Sequence, residues 1–323
     1  MNEQFHPPFV DSYNNMSQHL EMSLHLVGIG VSHSIAPNMH NYIAKSLGLP
    51  WKFHATECPT TEELVNLARD SSTAGLVVTM PYKGSIMEHL DERDQLVSII
   101  GACNNVYYKL LDDGTRKLCG TNTDWRGVKG CLTEKGDEKT RPTQLSPAPA
   151  LIVGAGGASR AAVYALNEHL HSSTIYVLNR DAQEVESLIH DSTKLPHPPE
   201  IIHVKTVDQA EGLSSPYYIV GTVPDIEPKT ESELEVASIM KHFLSRAQKG
   251  VLLDMCFKPR RTRMIKLAEQ LGWPCVEGTH VIGYQIEEQW KLWAGEALVQ
   301  KLDREGAWDV LLKAAEESTG INF

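Results

Sequence analysis

Short apolar runs alternate along this chain with stretches whose apolar residues recur every three or four positions. Leu24 to Ile29 reads as a strand. Pro37, tolerated at the first position of a helix, opens one with Met39, Tyr42, Ile43 and Leu47 inward, and Gly48 ends it. Trp51 to Thr56 alternates like a half-buried strand. Thr60-Thr-Glu-Glu63 has the form of a capping box that starts a helix reaching about Arg69. Gly75 to Met80 is an apolar strand stopped by Pro81, and two helical stretches follow, ending near Ile100. Asn104 to Leu111 and Lys117 to Gly120 flank the turn Asp112-Asp-Gly-Thr and predict a hairpin, after which helix resumes at Asp124. The first part is thus an α/β domain of its own, β-α-β-α-β-α with a hairpin.

A second pattern begins at Ala150. Ala150 to Val153 is too short for a helix and suits a buried parallel strand. Gly154, Gly156 and Gly157 follow, then Ala162, Val163, Leu166 and Leu170 at helical steps, then a second apolar run, Ile175 to Leu178, that ends in Asn179-Arg180-Asp181. Strand, glycine turn, helix, strand and a terminal acid have the spacing of a dinucleotide-binding βαβ unit. Gly154 permits a tight turn, Gly156 lets the backbone approach a pyrophosphate, and the helix head offers unpaired N–H groups. Ser159 stands where a third glycine is usual. Strands near Ile201 to Val204, Tyr217 to Val220 and Val251 to Met255 continue the pattern. Thr262 to Leu271 is an amphipathic helix stopped by Gly272. After Gly278 the chain reads as helical to its end, with Ile282, Ile286, Trp290 and Trp293 along one side.

The expected fold class is therefore α/β with two domains, an N-terminal α/β substrate domain and a Rossmann-type, doubly wound nucleotide-binding domain. The expected boundaries are a polar N-terminal extension at 1–22, a first domain at 23–132, a polar linker at 133–149 and the nucleotide domain at 150–282; that 283–323 returns to the first domain, and that this domain holds the substrate, is what the family resemblance given below implies. The length, 323 residues, accommodates two cores. A net charge of −11 argues against nucleic acid or an anionic membrane as partner. The first residues lack the basic-then-apolar order of a secretory signal. Six scattered cysteines with no C-x-x-C spacing read as reduced thiols in the cytoplasm, with no metal site.

Four polar islands sit at strand ends, where α/β domains place their sites: Ser32 to Asn41, Val78 to Lys83, Gly101 to Asn105 and Gly120 to Gly127. Taken singly, a lysine after a proline turn reads as a solvated side chain, and Asn-Thr-Asp as a helix cap. Taken in order, with S-H-S-I-A-P, V-T-M-P-Y-K, G-A-C-N-N, G-T-N-T-D-W-R-G and G-A-G-G-A-S-R-A, the chain from about Leu24 onward resembles the shikimate/quinate dehydrogenase family, and its details are most like the fungal quinate-pathway members. The resemblance implies hydride transfer from a ring carbinol to NAD. It implies Lys83 and Asp124 as the catalytic pair and Ser32, Ser34, Thr79, Asn104 and Gln285 as substrate ligands. It assigns Gly154, Ala155, Gly156, Gly157, Ala158, Asn179, Arg180, Asp181 and Gly278 to the cofactor. The implied partner is quinate, with shikimate as a second substrate, acted on by a monomer or homodimer.

Three positions depart from the family pattern. Ala36 stands for a hydroxyl residue of the carboxylate loop, Phe257 for a tyrosine, and Val77 for an asparagine. Lys258, Arg260 and His280 are candidates to replace the lost contacts. NADP-using members carry a hydroxyl residue and a base where this chain has Asp181 and Glu184, so NAD is the expected cofactor. Asp181 could equally cap the helix that begins near Ala182. Two other readings stay open: a dehydrogenase of the same fold for another polyhydroxylated ring acid, and a non-catalytic sensor of these metabolites.

Overall fold

The computed structural model describes residues 20–323; the expected extension, apart from its last three residues, lies outside them. The described chain forms two compact units. The first comprises the chain to Ser98, Cys103–Thr123 and Gln285–Glu316, and the second comprises Ile99–Ala102, Asp124–Tyr284 and Glu317–Phe323.

The first unit is built on a mixed six-stranded sheet in the order β2-β1-β3-β5-β6-β4. Its strands are β1 (Met22–Gly28), β2 (Trp51–Glu57), β3 (Thr73–Val78), β4 (Glu92–Arg93), β5 (Asn105–Leu110) and β6 (Arg116–Thr121). β1 runs parallel to β2 and β3, whereas β5 is antiparallel to β3 and β6. The expected hairpin is present, with Asn105 opposite Thr121 and Leu110 opposite Arg116. Helices α1 (Ala36–Ser46), α2 (Thr61–Arg69) and α3 (Gln95–Ile100) fall where the pattern puts them. Thr60 Oγ1 caps α2 by accepting the Glu63 N–H at 3.2 Å. The first stretch after Pro81 is a 3-10 turn, Ser85–His89, followed by the two-residue β4.

One face of this sheet is closed by α11 (Ile286–Ala294), held through two tryptophans. Trp293 Nε1 donates to Val106 O at 3.1 Å. Its indole lies so close to β3 that a Cβ on Gly75 would come within 2.3 Å of the ring, so only glycine fits there. Trp290 Nε1 donates to His40 Nδ1 at 3.1 Å. Complete burial lowers His40 to about 3, so its ring stays neutral and accepts. Gln285, the residue before α11, is thereby fixed over the sheet.

The second unit holds a parallel sheet in the order β12-β11-β10-β7-β8-β9. Its strands are β7 (Ala150–Val153), β8 (Thr174–Leu178), β9 (Glu200–His203), β10 (Tyr218–Gly221), β11 (Val251–Asp254) and β12 (Cys275–Glu277). Read from β9, the order is 3-2-1-4-5-6, the doubly wound arrangement. β7, β10 and β11 are buried along their whole length, which is why they appear in the sequence as continuous apolar runs. The helices are α4 (Asp124–Lys135), α5 (Gly157–Leu170), α6 (Ala182–Ser192), α7 (Val207–Glu211), α8 (Glu231–Ser245), α9 (Arg263–Gln270) and α10 (Thr279–Gly283). α4 groups with this unit rather than with the 23–132 segment; Tyr284 OH donates to its Glu134 at 2.8 Å. The C-terminal region is not one continuous helix. It breaks at Gly295, where φ is +90°, giving α12 (Glu296–Val299) and then α13 (Arg304–Glu317). Among the described residues, no helix is long and apolar enough to cross a membrane.

Candidate active site

In the first unit, three of the islands are tied together through backbone hydrogen bonds at one end of the sheet. Asn104 O accepts from Val78 N at 2.8 Å, next to Thr79, and Lys83 O accepts from Cys103 N at 2.8 Å. Thr79 N donates to Val27 O at 2.9 Å, and Ile29 N to Met80 O at 3.2 Å, which docks the loop carrying Ser32 and Ser34 beside Thr79. That loop has a further clamp. Glu57 accepts the N–H groups of Gly30 at 2.7 Å and Ser32 at 3.0 Å. Partial desolvation works against it, yet these N–H groups and that of Val31 bring the Glu57 carboxyl below its usual range. Ser34 Oγ accepts from Ala36 N at 3.3 Å, at the head of α1. Lys83 and Thr79 are half-buried, and Ser32 is exposed.

Asn104 and Gln285 meet across 181 residues in a buried network centred on Thr123. Thr123 N donates to Asn104 Oδ1 at 2.6 Å, and Asn104 Nδ2 donates to Gln285 Oε1 at 2.9 Å. Thr123 Oγ1 lies 2.6 Å from the same Gln285 oxygen, and Gln289 Nε2 3.3 Å from it. Donors converging on Oε1 fix the orientation of the Gln285 amide. Thr123 and Gln289 are not among the residues singled out from sequence. Thr123 lies inside the Gly120–Gly127 island, and Gln289 stands one helical turn after Gln285, but neither spacing reveals the network. Asp124 follows Thr123 directly as the first residue of α4 and is 5% exposed.

The cofactor candidates lie in the second unit. Gly154 has φ +117°, and a Cβ there would come 2.3 Å from Thr222 Oγ1. Ser159, at the third glycine position, is fully buried and sits 2.8 Å from the same Thr222 hydroxyl, so the departure from the glycine pattern is absorbed by a hydrogen bond. A Cβ at Gly156 would meet nothing within 4 Å. That open cradle at the head of α5, between Ala155 and the first helical residues Gly157 and Ala158, fits a pyrophosphate. Gly278 packs against β11, where a Cβ would lie 2.5 Å from Met255 O. Asp181 does cap α6: its Oδ1 accepts from Gln183 N at 2.8 Å and Glu184 N at 3.3 Å. Asn179 Nδ2 donates to Glu184 at 2.8 Å. Arg260 is held by Glu277 at 3.4 Å, while Lys258 is exposed.

Asp254, at the end of β11, accepts from the Thr262 hydroxyl at 2.7 Å and from Cys256 N at 3.1 Å. Burial outweighs both and raises its carboxyl to about 6. The unfolded chain titrates this group near 3.8. Between about pH 4 and 6 the folded state therefore holds the extra proton, and this group's contribution to stability falls as pH rises through that window. Asp254→Asn is expected to remove roughly 2–3 kcal/mol of that pH dependence, measured as the difference from wild type in urea unfolding at pH 4 and pH 7. Parallel pH profiles would show that the carboxyl titrates alike folded and unfolded.

A doubly wound sheet with a glycine cradle at its first helix, carried with a second α/β unit, is the build of a dinucleotide-binding oxidoreductase. Residues 26–106 match the family model described as the shikimate dehydrogenase substrate binding domain. A quinate dehydrogenase of Emericella nidulans is 32% identical over 294 residues, covering 86% of this chain and 89% of the relative. The chain belongs to the shikimate/quinate dehydrogenase family. Among solved structures, the dehydroquinate dehydratase and shikimate dehydrogenase of S. pombe AroM aligns with a TM-score of 0.71 at 30% identity, over 94% of this chain and 56% of that one. A quinate dehydrogenase from Corynebacterium glutamicum in complex with NAD shares the fold, with a TM-score of 0.70 at 20% identity over 91% of this chain and 99% of that one.

Proposed function

We propose that this protein is an NAD-dependent quinate dehydrogenase that oxidises a ring hydroxyl of quinate to the 3-dehydro ketone and accepts shikimate as a second substrate. The observation that carries the reading is the buried frame of Asn104, Thr123 and Gln285. It joins three distant segments, fixes Lys83 through Cys103 on one side, and runs directly into Asp124 on the other. The nicotinamide supplies the hydride acceptor when bound. The chain's own residues do the rest. Asn104, Thr79 and the NH₂ of Gln285 hold ring hydroxyls, and the loop of Ser32 and Ser34 receives the carboxylate. Lys83 and Asp124 take the proton that the hydroxyl must lose as its carbon becomes a carbonyl.

NAD is favoured because the ribose end presents carboxylates. Asp181 caps α6 through Oδ1, and Glu184 stands beside it. Acceptors suit free ribose hydroxyls. A 2′-phosphate would face repulsion of roughly 4 kcal/mol per unit charge pair at about 4 Å, before screening. We expect NAD to exceed NADP by about 10-fold or more in kcat/KM, which needs only ~1.4 kcal/mol. The test is a panel of quinate, shikimate and related ring acids, each with NAD and with NADP, read by absorbance of the reduced cofactor. Equal use of both cofactors would sink the NAD assignment, and no turnover of any ring acid would sink the enzyme assignment. Action in the cytoplasm, on a small molecule, belongs to the same reading.

A further inference from the structure

The ribose end of the second unit holds a charge arrangement that no local motif announces. Arg180, between β8 and α6, forms an ion pair with Glu233 at the head of α8, 53 residues away. The two partners are held very differently. Glu233 is anchored in a full capping box, its carboxylate accepting from Lys229 N at 2.9 Å and Thr230 N at 3.0 Å while Thr230 Oγ1 accepts the Glu233 N–H at 3.3 Å. Its side chain is 20% exposed, against 63% for Arg180. The N–H groups of Thr230 and Lys229, with the Thr230 hydroxyl and the Arg180 guanidinium, outweigh a small desolvation effect and hold the carboxyl down at about 2. The acid is thus a fixed charge, and the more exposed guanidinium comes to it.

We propose that Glu233 is a specificity-determining residue that engages the Arg180 guanidinium and so withholds it from the 2′-phosphate of NADP. The proposal rests on the dinucleotide reading above and names how that site selects. A 2′-phosphate bound here needs a cation, and Arg180 is the one adjoining the terminal acid of the βαβ unit. With Arg180 engaged by Glu233, the phosphate faces Asp181 and Glu184 from its own loop. Free ribose hydroxyls need only acceptors, which these carboxylates supply. Withholding the cation therefore penalises NADP and leaves the demands of NAD met.

The test measures dissociation constants of NAD⁺ and NADP⁺ by titration calorimetry on the full chain, so it does not depend on turnover or on the identity of the ring acid. Glu233→Gln keeps a residue able to complete the capping box and removes the charge. The NADP-to-NAD affinity ratio is expected to rise about 5-fold, the upper range for releasing an exposed ion pair. In an Arg180→Gln background the same substitution should change the ratio less than about 2-fold, because no guanidinium is left to release. An unchanged ratio in Glu233→Gln, with wild-type melting temperature, overturns the proposal. If Glu233→Gln melts early, Arg180→Gln alone decides, since its side chain is exposed. A loss of NADP affinity of about 10-fold or more there would mean Arg180 already serves the phosphate, and overturns the proposal; a loss within about 2-fold supports it. Wild-type protein binding NADP⁺ as tightly as NAD⁺ overturns both this and the NAD assignment, and binding neither overturns the dinucleotide reading itself.

Discussion

Replacing Lys83 with alanine is expected to lower turnover of quinate by about 100-fold or more, and Asp124→Asn to do the same, the scale of a lost proton-transferring group. A carbinol carbon cannot release hydride unless its oxygen sheds a proton at nearly the same time. Lys83 is suited to receive it because its backbone is pinned through the Cys103 N–H, so its amine is carried from a fixed base. Asp124 is suited because it is buried and follows Thr123, whose own N–H is bonded to Asn104. Asparagine at 124 keeps the shape and removes the charge. If the two residues act as one unit, the double variant should fall little below either single one. The measurement is kcat by reduced-cofactor absorbance, with cofactor affinity determined separately to place the loss in the chemical step. Turnover within a few-fold of wild type in both variants would assign the proton to other groups.

The parts legible in the sequence are those set by neighbouring residues. β7 is wholly buried and β8 is buried from Ile175 to Leu178, with the Gly154 to Gly157 turn between them, so the βαβ unit could be read almost residue by residue. The hairpin of β5 and β6 follows from Asp112-Asp-Gly. The parts that were not legible depend on distant packing. The shared side of Ile282, Ile286, Trp290 and Trp293 carries a helical reading past Gly295 and residues 300–303, although the buried residues there step by five, from Ala294 to Val299 and from Leu302 to Ala307. The 3-10 turn at Ser85–His89 buries only Ile86, too little apolar patterning to separate it from an α-helix. The site divides the same way. Lys83, Asn104 and Asp124 are found in local islands, whereas Thr123–Gln285 spans 162 residues and Arg180–Glu233 spans 53, and each is visible only once folded. Asp181 shows the limit of a spacing argument, since one carboxylate at that position serves equally as helix cap and as ribose acceptor.

Thr123→Val is expected to lower kcat/KM for quinate by about 30-fold, most of it in KM, since displacing binding groups by about 1 Å can cost ~100-fold. Valine keeps the branched shape in a fully buried position and deletes only the hydroxyl. That hydroxyl is within reach of Gln285 Oε1 at 2.6 Å, Asn104 Nδ2 at 3.1 Å and Gln289 Nε2 at 3.3 Å, so one atom orients three amides. Without it the Gln285 amide loses the 2.6 Å contact to the Thr123 hydroxyl and can turn its oxygen toward the ring hydroxyl that its NH₂ group should approach. Unfolding stability should fall as well, by about 1–3 kcal/mol, the cost of leaving buried polar atoms less satisfied. Thr123→Ser separates the two effects. It restores the hydroxyl but not the methyl, so it should recover KM to within a few-fold while leaving part of the stability loss in place. A valine variant that is destabilised yet binds quinate normally would make the network a structural brace for α11 and remove Gln285 from the substrate site.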